Sequence, residues 1–418
     1  MRRFSRPIVI IGVLFFVFGF VTWLGSVLIP YLKIACQLSS FASYLVAFSF
    51  YISYTVMAAP AGAVLRRTGY KKGMSLGLLI MAAGSMLFLP AAGIRSYQLF
   101  LAGLFIQGTG LAILQTAANP YVTILGPLES AARRMGIMGI CNGVAGIMAP
   151  LIIGSVTLKD ADEVRDHVAR LSGSAKLAML DGLAHRVILP YAIITLVLLV
   201  LAIWVFFSPL PEMHSDETAE EVSGGETAKT SIFQFPHLLL GVLTLFLYVG
   251  VEVIAGDTII NYGSSQGIGL SAARFFTSGT LGCMLAGYLI GILLIPKYLS
   301  QATALKVSAA LGLVFVFVAL STSGLVSVAF IALLGLANSM VWPSIWPLAI
   351  DGLGRFTAAG SSLLIVAIGG GALLPLAYGW LAQVSTPQHA YWLVVPCYCC
   401  IAWYAAYGHK AGRKIFTA

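Results

Sequence analysis

Twelve separate apolar runs, each about twenty residues or longer, govern what this chain can fold into. They fall at about 8–30, 42–65, 73–92, 97–125, 135–157, 187–208, 237–262, 271–295, 303–322, 325–350, 357–384 and 389–408. A run of that length crosses the ~30 Å hydrocarbon core of a bilayer as a helix, which satisfies its own backbone where there is no water. Composition agrees: 59% of residues are hydrophobic and only 9% charged, with a mean hydropathy of +0.94, against about 25% charged in an ordinary water-soluble domain. The predicted fold class is an all-α membrane protein with twelve transmembrane helices.

The polar, acid-rich segment from Pro209 to Thr230 divides the runs six and six and reads as a flexible linker. The expected organisation is an N-terminal bundle at 1–208, a linker at 209–234 and a C-terminal bundle at 235–418. A second polar segment, Lys159 to Arg186, joins the fifth and sixth spans; its apolar spacing (Val164, Val168, Leu171, then Leu177, Leu180, Leu183) predicts short surface helices. Sixteen of the 24 Lys and Arg residues fall on the side of the N-terminus, and five of the remaining eight lie in that one long loop. The positive-inside rule then places both termini in the cytoplasm, so the net charge of +9 is a topology signal rather than a nucleic-acid site. The first run is too long for a signal peptide and has no small-residue cleavage site, so it is expected to stay as the first helix. Five of six cysteines, Cys141, Cys283, Cys397, Cys399 and Cys400, lie within spans, with Cys36 near a loop. Their spacing supports neither a metal site nor a disulfide.

Thirteen of the fifteen acidic residues fall in polar loops or at span ends; Glu252 and Asp257 lie inside the seventh apolar run. A carboxylate at bilayer depth costs roughly 2.5–3.5 kcal/mol on insertion scales and marks a functional candidate. On an intact helix the two point ~140° apart with ~7.5 Å between their levels, so one face cannot present both. Asp257 and Asn261 do share a face. With the Thr258 hydroxyl and carbonyls freed near Gly250 and Gly256, they form an all-oxygen set suited to a small hard cation; the competing reading is a buried carboxylate held by hydrogen bonds. Asp257, Glu252, Asn261 and Thr258 are the candidate cation-coupling residues, with Asp257 as the ion ligand.

A slide of 231 residues superimposes Gly19 on Gly250, Gly25 on Gly256 and Tyr31 on Tyr262, with Ser26 opposite Asp257. The halves therefore read as two pseudo-symmetric six-helix bundles, only the second of which carries the charge. The fourth and tenth spans look related as proline-broken polar helices, one containing Gln115, Asn119 and Pro120, the other Asn338, Trp342, Pro343, Trp346 and Pro347. Gln115, Asn119, Asn142, Asn261 and Asn338 each donate and accept, which suits vicinal hydroxyls, although amides between membrane helices also serve as glue. Trp342 and Trp346 offer faces that stack on a sugar ring; Trp346 equally suits a lipid-facing position.

The segment from Gly62 to Lys72, with Arg66, Arg67, Gly69, Lys71 and Lys72, resembles the cytoplasmic signature of the major facilitator superfamily, without its usual acidic residue. Phe20–Lys33, Gly108–Pro127, Tyr248–Asp257, Asn338-Ser339, Trp342-Pro343 and Gly369–Gly371 together resemble the fucose permease-type branch of that superfamily. Its members are fucose, glucose/galactose and N-acetylglucosamine symporters. The resemblance implies cation-coupled hexose uptake by alternating access. In the proton-driven fucose permease an aspartate matches Ser26 and a glutamate matches Gln115; both positions are neutral here, which turns attention to Asp257 and Glu252 and to the similar sodium-dependent glucose/galactose transporters.

The expectation is a secondary transporter, not an enzyme, importing a glucose-, galactose- or mannose-type hexose with sodium. Gln115, Asn119, Asn142, Asn261, Asn338, Trp342 and Trp346 would bind the sugar. No resident cofactor is expected beyond the co-transported sodium ion. The expected setting is a bacterial inner membrane, with lipid as surroundings, a monomeric state and no nucleic-acid partner. The alternative is proton-coupled symport of a fucose- or N-acetylglucosamine-type sugar. An exporter would favour a more apolar cavity, and a sensor would need a signalling domain that neither tail has room for.

Overall fold

The computed structural model describes residues 5–124, 131–210, 230–295 and 298–412. Among these the regular structure is helix, with no strand. Twelve spans are present, and eleven stretches are long and apolar enough to cross a membrane. The twelfth span is divided: Pro387–Ala390, a tight turn at Tyr391–Leu393, then Val394–Ala406. The 159–186 segment forms the two expected short helices, Ala161–Arg170 and Gly173–His185, which bury Val164, Val168, Leu180 and Leu183 while Leu177 stays exposed. Most of the linker, 211–229, lies outside the described residues.

Several spans are interrupted, and the interruptions matter more than the helices around them. The first is Ser5–Thr22 followed by Gly25–Ala35. The seventh is Pro236–Asp257 followed by Ile259–Ser265. The tenth is Gly324–Asn338 followed by Val341–Ile350. In the tenth, Pro343 falls in the first turn of the resumed helix, where a missing amide hydrogen costs nothing. The expected matching break in the fourth span is absent: Tyr97–Ile124 runs unbroken through Pro120. The signature loop between spans two and three is a single residue, Gly69, whose φ of 73° joins Leu45–Thr68 to Tyr70–Met86. Only glycine adopts that conformation without steric cost.

The bundles meet along two seams. Span two lies against span eleven, and the glycine triplet of span eleven shows why. A Cβ on Gly369 would fall 2.3 Å from the Thr55 hydroxyl oxygen and one on Gly371 3.0 Å from the Tyr51 ring, both on span two, while one on Gly370 would fall 1.8 Å from the carbonyl oxygen of Phe246 in span seven of its own bundle. Span five lies against span eight, Gly143 against Leu285 and Gly146 against Leu281, and the Ser278 hydroxyl donates to the Ile147 carbonyl at 2.9 Å.

Candidate functional site

Asp257 ends the longer helix of span seven, immediately before the bend at Thr258. It is 1% exposed, and neither carboxylate oxygen has a hydrogen-bond partner among the described residues. The four ion pairs among those residues all involve Arg95, Arg165 or Arg186, far along the chain from Asp257. An uncompensated carboxylate in a low-dielectric interior is among the costliest arrangements a protein holds. Here it faces a small enclosed cavity in which about 10 Å³ is open to a water-sized particle, enough for roughly one water or ion. The opposite walls belong to the other bundle: Val21, Thr22 and Gly25 of span one, Tyr51 of span two and Leu104 of span four.

The two interrupted helices fit each other reciprocally. A Cβ on Gly25 would lie 3.0 Å from Asp257 Oδ2, and one on Gly256 would lie 2.2 Å from Cζ3 of Trp23. Each glycine thus makes room for a side chain on the opposite span. The Trp23 indole also presses on Gly146 and packs with Leu281 and Met284, so it wedges between spans five, seven and eight. The repeat reading is explained further along: Gly19 gives way to the Asn142 carbonyl (2.0 Å) and Gly250 to Leu374 (2.1 Å). Ser26, opposite Asp257 in the slide, is buried and donates to the Trp23 carbonyl at 2.8 Å, closing its own helix break.

The oxygen shell anticipated around Asp257 is largely committed elsewhere. The Thr258 hydroxyl shares a 2.7 Å hydrogen bond with the Tyr391 hydroxyl. The Gly256 carbonyl accepts from the Thr277 hydroxyl at 2.8 Å. Asn261 is half-buried, and its Nδ2 has no hydrogen-bond partner among the described residues. Glu252 is half-buried and lies one turn after Tyr248 on the same helix, whereas Asp257 is buried at the helix end, so the two carboxylates occupy different surroundings, as their spacing requires.

The remaining candidates are dispersed. Asn338 is buried, its Oδ1 accepting from the Tyr398 hydroxyl at 2.7 Å while Nδ2 has no partner. Trp342 and Trp346 stack on each other, centroids 5.5 Å apart and planes inclined by 25°, and both are half-buried. Gln115 and Asn142 are half-buried; the side chain of Asn119 lies outside those described. None of the described side chains among these lines the cavity at Asp257. The residues that do, Thr22 and Tyr51, were not anticipated. A signal existed: Tyr44, Tyr51 and Thr55 recur at helical spacing on one face of span two, against Gly379, Gly371 and Gly369. Tyrosines at that spacing in an apolar run are otherwise ordinary core.

A family profile described as the Major Facilitator Superfamily matches residues 11–374. A glucose/galactose transporter of Brucella abortus biovar 1 (strain 9-941) is 34% identical over 413 residues, covering 98% of this chain and 96% of that protein. An L-fucose-proton symporter of Escherichia coli (strain K12) is 30% identical over 388 residues, covering 92% and 88%. Among solved structures, the major facilitator superfamily transporter FucP in its outward conformation superposes with a TM-score of 0.72 at 27% identity, covering 97% of this chain and 99% of that one.

Proposed function

The chain belongs to the major facilitator superfamily, and on that premise we propose that it imports a hexose by symport with a monovalent cation taken up at Asp257. The observation that carries the reading is the buried, unpartnered Asp257 carboxylate facing a one-particle cavity between the bundles. A proton is the ion that suits this cavity. It neutralises the carboxylate without a shell of ligands, whereas a hard metal cation takes about six oxygens and this cavity offers the carboxylate with Thr22 and Tyr51 among apolar walls. The relative that is an L-fucose-proton symporter supports the same choice. Sodium is the second reading, favoured by the neutral Ser26 and Gln115.

Gln115, Asn119 and Asn142 from one bundle and Asn261, Asn338, Trp342 and Trp346 from the other would meet the sugar, with the free Nδ2 of Asn338 and of Asn261 as donors to its hydroxyls. An ion that carries one charge inward gains ~2.3 kcal/mol per 100 mV, about fifty-fold in accumulation. The proposed setting is a bacterial inner membrane with both termini cytoplasmic, bundles at 1–208 and 235–418 and a linker at 209–234, acting as a monomer without a resident cofactor. Uptake of glucose, galactose, mannose, fucose and N-acetylglucosamine, measured at fixed pH with sodium replaced by choline, tests it. Full hexose uptake in choline is expected; strict dependence on sodium would move the assignment to the second reading, and no hexose uptake would end both.

A further inference from the structure

The segment between spans five and six has no part in the site described, yet it ties the two bundles together. Asp162, in the helix Ala161–Arg170, reaches across to the start of span eight. Its Oδ1 accepts from the Leu270 amide at 3.0 Å, and its Oδ2 accepts from the Ser271 amide at 3.0 Å and the Ser271 hydroxyl at 2.6 Å. The approach depends on Gly269, where a Cβ would lie 2.8 Å from Asp162 Oδ2. Hydrogen bonds to an ionised acceptor are roughly twice as strong as neutral ones, so three on one carboxylate make a firm attachment.

The segment that bears Asp162 is fixed to its own bundle. Arg186 grips Asp160 with both guanidinium nitrogens. Arg95 pairs with Asp181 at 3.2 Å, and the Tyr31 hydroxyl donates to the carbonyls of Leu183 and Ala184. Asp162 therefore moves with the first bundle, and Leu270 and Ser271 with the second. A second tie joins the bundles at the same end, opposite the chain termini: the Phe41 amide donates to Gln383 Oε1 at 3.1 Å. Beneath it Tyr44 fills the space over Gly379. Arg165, on the same helix, already pairs with Asp162 at 3.7 Å, so the carboxylate keeps one partner when the cross-bundle bonds break, which lowers the cost of release.

We propose that Asp162 is the latch of a gate at this end of the transporter, its three bonds made when that end is shut and broken when it opens. The inference rests on alternating access and on neither the sugar nor the ion. Two measurements test it. The full-length double variant Asp162→Cys/Ser271→Cys, oxidised with copper phenanthroline, is expected to cross-link and to lose at least tenfold in uptake relative to the same protein reduced, recovering with dithiothreitol, while the oxidant leaves the uptake of each single variant at that variant's own untreated level. Failure to cross-link, or cross-linked protein with undiminished uptake, overturns the proposal. Separately, Ala47→Cys in the cavity wall is expected to react about tenfold faster with a membrane-impermeant maleimide when combined with Asp162→Ala, and at an intermediate rate with Asp162→Glu. An equal rate in all three, in both right-side-out and inside-out vesicles, overturns it. Acceleration confined to inside-out vesicles keeps the latch and overturns only the proposed orientation.

Discussion

Two aspartates at the bundle interface, Asp162 and Asp257, have opposite surroundings. Asp162 is partly exposed and accepts three hydrogen bonds from the other bundle. Asp257 is almost wholly buried and accepts none from the described residues. A carboxylate with its acceptor sites filled holds two surfaces together. One left empty inside the protein is held at a cost in free energy and has capacity for something that arrives. The same residue type is thus bonded across the interface at one place and without described partners at the other, and the difference lies in the donors around it.

The largest effect is expected from Asp257→Asn. Uphill sugar accumulation should fall by about a hundredfold or more, to equilibration, while sugar–sugar exchange in proteoliposomes persists. Thermal stability should stay level or rise, since removing an unpartnered buried charge relieves its desolvation. Lost accumulation with exchange lost as well would instead mark Asp257 as structural. Next comes the packing that seats it. Gly256→Ala places a methyl 2.2 Å from the Trp23 ring, and overpacking of this kind costs ~1–3 kcal/mol. Detergent-solubilised protein should melt lower, and Trp23→Ala in the same chain should recover part of the loss; strictly additive losses would show that the two do not meet.

Asp162→Asn should act in the converse sense to Asp257→Asn. It weakens the tie by ~1 kcal/mol, lowering the melting temperature and the maximal uptake rate a few-fold while the final accumulation ratio is kept. A changed ratio would break the contrast between the two aspartates. The smallest effect belongs to Ser26→Ala, which removes a single hydrogen bond to the Trp23 carbonyl, worth ~0.5–1.5 kcal/mol. Coupling should survive it, because the charge of the repeat lies in the other half.

The architecture was legible because bilayer depth leaves so few options: twelve apolar runs became twelve spans, and the one run with carboxylates inside it held the candidate site. Asp257 stood out for the same reason. Its neighbours did not, because Thr22 and Tyr51 lie more than two hundred residues away in sequence, on a bundle whose docking no local pattern encodes. Thr258 and Asn338 look like free ligands in sequence; only the fold reveals Tyr391 and Tyr398 as their partners. Pro120 shows the limit of reading breaks from proline. The helix runs through it, as others run through Pro60 and Pro150, and the actual breaks at Trp23 and Thr258 carry no proline.

The most direct test is the pH of a lightly buffered, sodium-free suspension of energy-depleted cells on addition of the transported hexose. Ions entering at Asp257 as protons predict prompt external alkalinisation in the wild-type protein and none in Asp257→Asn. Alkalinisation that persists in Asp257→Asn, or hexose entry that leaves the external pH unchanged, would contradict the account.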